Sequence, residues 1–133
     1  MESWLNRTEN LIGTTALSKL MQKNITIVGI GGVGSFCAEA LARCGINHIT
    51  LIDKDVVDIT NINRQLIADT TTIGQLKVNI MKKRILKINP NATIITSPVF
   101  LTKENVANLI DSNSDFVIDC IDSVKSKLDL IVL

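Results

Sequence analysis

The chain has 133 residues, 46% of them apolar, with mean hydropathy +0.30 and a formal net charge of +1 from 14 Lys and Arg against 13 Asp and Glu. That is material for one domain with a modest core, expected over residues 1–133. Near-neutral charge argues against a protein that coats nucleic acid through a general excess of cations, though not against a local basic patch. No run of about eighteen apolar residues offers a helical membrane span, and the first residues do not read as a secretory signal, so a cytoplasmic protein with no membrane partner is expected. Cys37, Cys44 and Cys120 form no CxxC pair and read as buried thiols in a reducing compartment. The closing segment LDLIVL is unusually apolar for a terminus, which suggests the amino-terminal part of a longer protein.

In chain order, apolar residues at Ala16, Leu17, Leu20 and Met21 have helical spacing and predict a short helix over 14–21. Ile25 to Ile30 reads as a buried strand, Gly29 to Gly34 as a turn, and Ser35 to Cys44 as a helix stopped by Gly45. A second strand, 49–52, ends on Asp53, with His48 read as a solvated residue before it. Residues 54–74 form a long polar loop of the kind that is usually functional or disordered. An amphipathic helix is predicted over 75–88, with Leu76, Ile80, Ile85 and Ile88 inward and Lys77, Lys82, Lys83 and Arg84 more exposed, closed by Pro90. Further strands are expected at 93–96 and 116–118. Thr102 can cap a helix to about Ile110, and Ser123 a last helix. Strands alternating with helices predict an α/β fold: a doubly wound, mainly parallel Rossmann-like sheet with flanking helices. Asp53, Asp119 and Asp122 all fall at or beyond strand ends, where such sheets bind ligands, so they point to a single cleft.

Gly29-Ile30-Gly31-Gly32-Val33-Gly34 matches GxGxxG between a strand and a helix. Glycines permit the turn and close approach of backbone N–H groups to a phosphate, and the helix start adds partial positive charge. Asp53, nineteen residues beyond Gly34, suits a ribose hydroxyl. The motif alone does not separate NAD from ATP. The next segment does: past Asp53 and Asp55 come Asn61, Arg64 and Gln65, then Lys77. An amide, a planar guanidinium and a lysine suit a polyphosphate; an NAD-dependent oxidoreductase would leave them without a task.

The strings GIGGVGS, LIDKDVVDITNINRQ, Lys77 and VIDCIDS together resemble the ThiF/MoeB/HesA superfamily of adenylating enzymes, which includes the ubiquitin-activating enzymes. RTENLIG, TNINRQ and IDCIDSVKSK are most similar to its tRNA threonylcarbamoyladenosine dehydratase branch. The resemblance covers about residues 7–133. It implies that Gly29, Gly31, Gly32 and Gly34 surround ATP, that Asp53 holds the ribose, with Asp55 beside it, and that Asn61, Arg64 and Lys77 bind the triphosphate, with Gln65 in the same motif. It implies that Asp122 positions Mg2+, and that Arg7 reaches the ATP site of a partner subunit in a homodimer. The acceptor carboxylate would be the threonylcarbamoyl group of a modified tRNA adenosine or, alternatively, the carboxy-terminal glycine of a ubiquitin-like sulfur carrier. The family usually carries two arginines three apart, and the first of these positions is Trp4 here. Family members run to roughly twice this length, and a chain that binds nucleotide without turnover is the third reading. No covalent role is assigned to a cysteine.

Overall fold

The computed structural model describes residues 3–133; Met1 and Glu2, part of the expected domain, lie outside the described residues. Two short helices, α1 (Asn6–Ile12) and α2 (Thr14–Met21), meet at Gly13, whose φ of 86° turns the chain between them. Then follow β1 (Asn24–Val28), α3 (Gly32–Arg43), β2 (His48–Ile52), a 3-10 turn (Ile59–Asn61) and α4 (Lys77–Ile88). The chain continues through β3 (Thr93–Ser97), α5 (Val106–Leu109), β4 (Phe116–Asp119) and α6 (Val124–Ile131).

The four strands form one all-parallel sheet in the order β3-β2-β1-β4. The chain winds outward from β1 to β3, then returns to pair β4 with the other side of β1. The direction therefore reverses at β1, and the crevice beyond the carboxyl ends of β1 and β4 is the switch point at which such sheets bind ligands. β1 is buried on both faces, as its central position requires. Ile25 and Ile27 join Ala38 and Ala42 of α3 and Val78, Met81 and Ile85 of α4 in the larger core. Val28 joins Leu101, Val106 and Leu130 in a smaller core on the opposite face. Full burial of an aliphatic side chain such as Ile27 contributes roughly 1.5–3 kcal/mol.

The expected fold class is the observed one, with shifts at the boundaries. β1 stops at Val28, and α3 begins at Gly32, inside the glycine motif, because the last two glycines form the helix's first turn rather than a loop before it. α4 begins two residues later than expected, and its buried apolar residues are Val78, Met81 and Ile85, with Leu76, Ile80 and Ile88 only partly covered. The helix proposed after Thr102 shrinks to the four residues of α5; Thr102 contributes its carbonyl to the N–H groups of Asn105 and Val106. α1 lay outside the predicted elements. His48 opens β2, exposed. Cys44 is exposed, and Cys37 and Cys120 are half-buried, which corrects the reading of three buried thiols.

Candidate functional site

The polar segment after Asp53 is ordered by its own ends. Val57 N–H donates to the Gln75 carbonyl and Lys77 N–H to that of Asp55, around an antiparallel bridge between Val56 and Leu76. The loop thus folds back on the start of α4 and buries Val57, Asn61, Gln65, Ile67 and Ala68. Asp58 and Asn61 close a capping box about the 3-10 turn: Asn61 Oδ1 accepts from Asp58 N–H at 2.8 Å, and Asp58 accepts from Thr60 N–H. The Asn61 carbonyl then accepts from the N–H groups of both Arg64 and Gln65. Asn61 is buried and does not line the cleft; it sets the two residues that do.

A cleft of about 420 Å3 opens at the switch point, within the range of small-molecule sites. The glycine turn forms one wall, Arg64, Gln65 and Lys77 a second, and Asp119 to Asp122 with Lys127 a third, with Asp53 and Asp55 between. The three acids placed at strand ends by sequence, Asp53, Asp119 and Asp122, do share one cleft. Two glycines of the turn are explained by packing: a Cβ on Gly29 would meet the Cys120 carbonyl oxygen at 2.5 Å, and one on Gly34 the Gly29 carbonyl oxygen at 1.7 Å. Gly31 and Gly32 are not so constrained; their nearest neighbours would be Gln65 Nε2 at 3.5 Å and Arg64 Cγ at 3.8 Å, across the cleft. A Cβ there would project into the cleft.

Two helix starts open here. α3 begins at Gly32 and α4 at Lys77, neither with a side-chain cap. The first N–H groups of α3 have no partner among the described residues, whereas Lys77 N–H at the start of α4 is taken by the Asp55 carbonyl. α3 therefore brings free donors to the cleft, and both helix ends bring partial positive charge. Lys77 is the first residue of α4 and only 6% exposed, whereas the helical pattern put it on the outer face. The loop folded over the helix start covers it, an arrangement that periodicity cannot show. Its ammonium makes no hydrogen bond among the described residues, and its ion pair with Asp55 is long, at 4.0 Å. Gln65 Oε1 is buried without a partner among the described residues. Such groups are costly to leave unpaired.

The acids have different tasks. Asp53 accepts the Ile30 N–H on one oxygen (2.7 Å) and the Asp55 N–H on the other (2.8 Å), tying the glycine turn to the end of β2. Each oxygen keeps a lone pair for a further donor. Asp119 accepts from Lys127 Nζ on both oxygens at 3.1 Å and from Ile121 N–H. Asp122 is exposed and engaged in no hydrogen bond or ion pair among the described residues. Arg64 spends one Nη on the Thr60 carbonyl and Asn63 Oδ1. Burial, then the neighbouring Cys37 and Asp119, push the Cys120 thiol up to about 11. Arg7 lies exposed on α1 and does not line the cleft of its own chain.

Three features escaped the sequence reading. Lys127 projects from α6 onto Asp119, and its tie to the cleft depends on how β4 leads into that helix. Beside the cleft lies a narrower slot between Val28 and Ile52 on one side and Phe100, Leu101 and Ile121 on another, open to Asp53 and Asp122. Its walls come from four separated segments, so no local motif marks it. Lys54 sits 4.8 Å over the Phe100 ring at the slot's edge.

Fold and site together define a doubly wound α/β domain in which a glycine turn, a lysine, an arginine and a helix start share one cleft beside an apolar slot. The chain belongs to the ThiF family, which its residues 5–132 match. It is 47% identical over 125 residues to the tRNA threonylcarbamoyladenosine dehydratase of Bacillus subtilis, covering 94% of this chain and 49% of that protein. A crystal structure of the Escherichia coli tRNA N6-threonylcarbamoyladenosine dehydratase in complex with ATP superimposes with a TM-score of 0.93 at 46% identity, over 96% of this chain and 52% of that one. The adenylyltransferase and sulfurtransferase of Meyerozyma guilliermondii is 38% identical over 113 residues, covering 85% of this chain and 26% of that protein. The chain thus spans about half the length of the dehydratases it matches. Among the described residues no helix is long and apolar enough to cross a membrane.

Proposed function

We propose that this chain binds ATP with Mg2+ and activates an acceptor carboxylate as its adenylate, the acceptor being the threonylcarbamoyl group of a modified tRNA adenosine. One observation carries the reading: a nearly buried lysine ammonium, without a hydrogen bond, stands at the positive end of a helix and faces a glycine turn. A folded protein gains no stability from that placement; it makes sense when a polyanion completes it. The ATP complex of the Escherichia coli enzyme, a relative of high identity, supports the choice of nucleotide.

In this reading the slot between Ile52 and Leu101 takes the adenine, Asp53 accepts from the ribose, and the N–H groups at the start of α3 meet the phosphates across Gly31 and Gly32. Lys77 and the free donors of Arg64 hold the β- and γ-phosphates, set by Asn61 through the loop it caps. Gln65 Oε1 accepts from a water or hydroxyl brought with the nucleotide. The unpartnered Asp122 carboxylate suits Mg2+, which takes few protein carboxylates and completes its shell with phosphate oxygens and water; bound there, the ion would neutralise phosphate charge. The acceptor carboxylate oxygen bonds to the α-phosphorus while the bridge to the β-phosphate breaks and pyrophosphate leaves. Arg64 and Lys77 stabilise the charge that gathers on the leaving group. The acyl adenylate can then cyclise with loss of AMP.

Arg7 acts from a partner subunit in this reading, so the working form is a homodimer in the cytoplasm. The sulfur-carrier acceptor is less favoured, because the adenylyltransferase and sulfurtransferase relative matches at lower identity. Calorimetric titration with ATP and Mg2+, with NAD as comparator, tests the nucleotide. Saturable binding of ATP and none of NAD is expected; binding of NAD alone would overturn the reading. Pyrophosphate release on adding modified tRNA or a carrier protein then separates the acceptors.

A further inference from the structure

The charge of this chain is balanced in sum but not in space. Residues 70–103 contain no Asp or Glu, yet hold six of the 14 cations: Lys77, Lys82, Lys83, Arg84, Lys87 and Lys103. Five of the six lie on α4, a helix with no acid of its own. Lys77 is committed to the cleft, while Lys83 and Lys87 are exposed one turn apart and Lys82 and Arg84 are partly so. Residues three and four apart share a helix face, so Lys83 and Arg84 each pair with Lys87 in a cationic strip on the later turns of α4, with Lys82 on its flank.

At the far end of that strip, Trp4, Glu39, Arg43, Arg84, Lys87 and Ile88 line an open hollow of about 430 Å3. Glu39 lies at its base, bonded to Arg84 and 3.5 Å from Arg43. It fixes two guanidinium groups in one place and leaves their other donors outward. Arg43, Arg84 and Lys87 outnumber the single carboxylate by two charges. The indole of Trp4 is half exposed beside them, which is unfavourable for a free apolar ring and useful for a ring on which a base can stack. The other acid near the strip, Asp69, is turned back on Thr71 N–H and Oγ1.

We infer that the outer face of α4, with the hollow closed by Trp4, is an RNA-docking surface: Lys82, Lys83, Lys87 and Arg43 take backbone phosphates, and Trp4 stacks on an unpaired base. Cations along a rigid helix suit a regular phosphate backbone, and an aromatic among cations suits RNA with splayed bases. This rests on the proposed tRNA acceptor and deepens it, because α4 begins at the cleft and its strip would guide the RNA away from the reacting end.

The test is fluorescence anisotropy with an unmodified tRNA transcript over a range of salt concentrations, on the chain and four variants, each checked for ATP binding by calorimetry. Lys83→Glu/Lys87→Glu should weaken binding more than ten-fold and flatten the salt slope by about two. Lys83→Gln/Lys87→Gln should show the same trend to a smaller degree, should the reversals disturb the fold. Trp4→Ala should lose roughly ten-fold with the slope unchanged. Lys103→Glu/Lys125→Glu changes net charge equally, near α5 and α6, and should bind nearly as the parent does. Equal losses in that control pair, or wild-type affinity in both α4 pairs, would overturn the inference and leave the adenylation reading intact. A chain that binds ATP but no tRNA would overturn the surface, while pyrophosphate release on adding modified tRNA still decides the acceptor. Tighter binding to phosphatidylserine vesicles than to tRNA, lost on the same reversals, would assign the strip to a membrane surface and refute the RNA docking.

Discussion

Lys77 Nζ stands 4.0 Å from Asp55 Oδ2, and the two side chains differ sharply in exposure, 7% against 54%. The carboxylate is thus largely solvated and repays little of the lysine's desolvation. Lys77→Met keeps the unbranched stem, one atom shorter, and removes the buried charge. Thermal melting should show a change within about 1 kcal/mol, in either direction, while ATP affinity falls at least ten-fold. A variant that melts far lower would make Lys77 a structural residue, and one that binds ATP normally would remove it from the site.

The glycine turn separates packing from binding. The Gly29 carbonyl stands where a Gly34 side chain would have to be, and neither backbone can move, since Gly29 N–H is bonded to the Ile52 carbonyl. Gly34→Ala should cost more than about 4 kcal/mol, and little folded protein is expected. Gly31→Ala meets only ordinary contacts, so the fold should survive and nucleotide binding should fall. Circular dichroism with ATP titration of the pair reads both. Equal behaviour would mean that the turn serves only to pack α3 on the sheet.

Arg64 is exposed, with two contacts to its own loop, the Thr60 carbonyl and Asn63. Removing it leaves no buried group unpaired, so Arg64→Ala should melt within about 0.5 kcal/mol of the parent. Adenylate formation, followed as ATP–pyrophosphate exchange with acceptor present, should be abolished. Full activity in a folded variant would refute the assigned role.

How legible this site was depends on whether its parts are neighbours in sequence. GxGxxG and the acid nineteen residues on carry their own context, because the strand, turn and helix that use them are contiguous. The switch point followed too, since alternating strands and helices leave few ways to wind a parallel sheet. Lys77 was found as a residue but misplaced on the surface: a helical pattern reports one face, and cannot see a loop that folds over the helix start. The apolar slot was invisible because Ile52, Phe100 and Ile121 meet only in the folded sheet. Lys127 was passed over because its partner Asp119 lies eight residues earlier, across the turn from β4 into α6.

The thiols offer a chemical check on the site's enclosure. Burial, aided by Cys37 and Asp119, raises the Cys120 thiol to about 11. At pH 7.5 its thiolate fraction is then below about one in a thousand, and the thiolate is the reactive form. Peptide mass spectrometry after brief iodoacetamide treatment should find the exposed Cys44 alkylated first and Cys120 last. Prompt modification of Cys120 would mean that the β4–α6 turn opens far more readily than its hydrogen bonds imply.

Glu39 gives the fold a dependence on pH that does not involve the cleft. Burial alone would raise its carboxyl, but Arg84, through a hydrogen bond and its charge, and then Arg43 hold it below the ordinary value of 4.5. A carboxyl lowered on folding contributes stability that is fully present above its unfolded value and is lost as pH falls through the folded one. Near pH 7, Glu39→Gln should therefore cost about 1 kcal/mol, since both arginines are substantially exposed and solvent screens the pair. Lowering the pH through and below 4.5 should narrow the gap between parent and variant toward zero. Denaturant melts of the two proteins at pH 7, 5 and 3.5 would measure it. A gap that stays constant across that range would mean that Glu39 contributes by packing between α3 and α4 rather than by its charge.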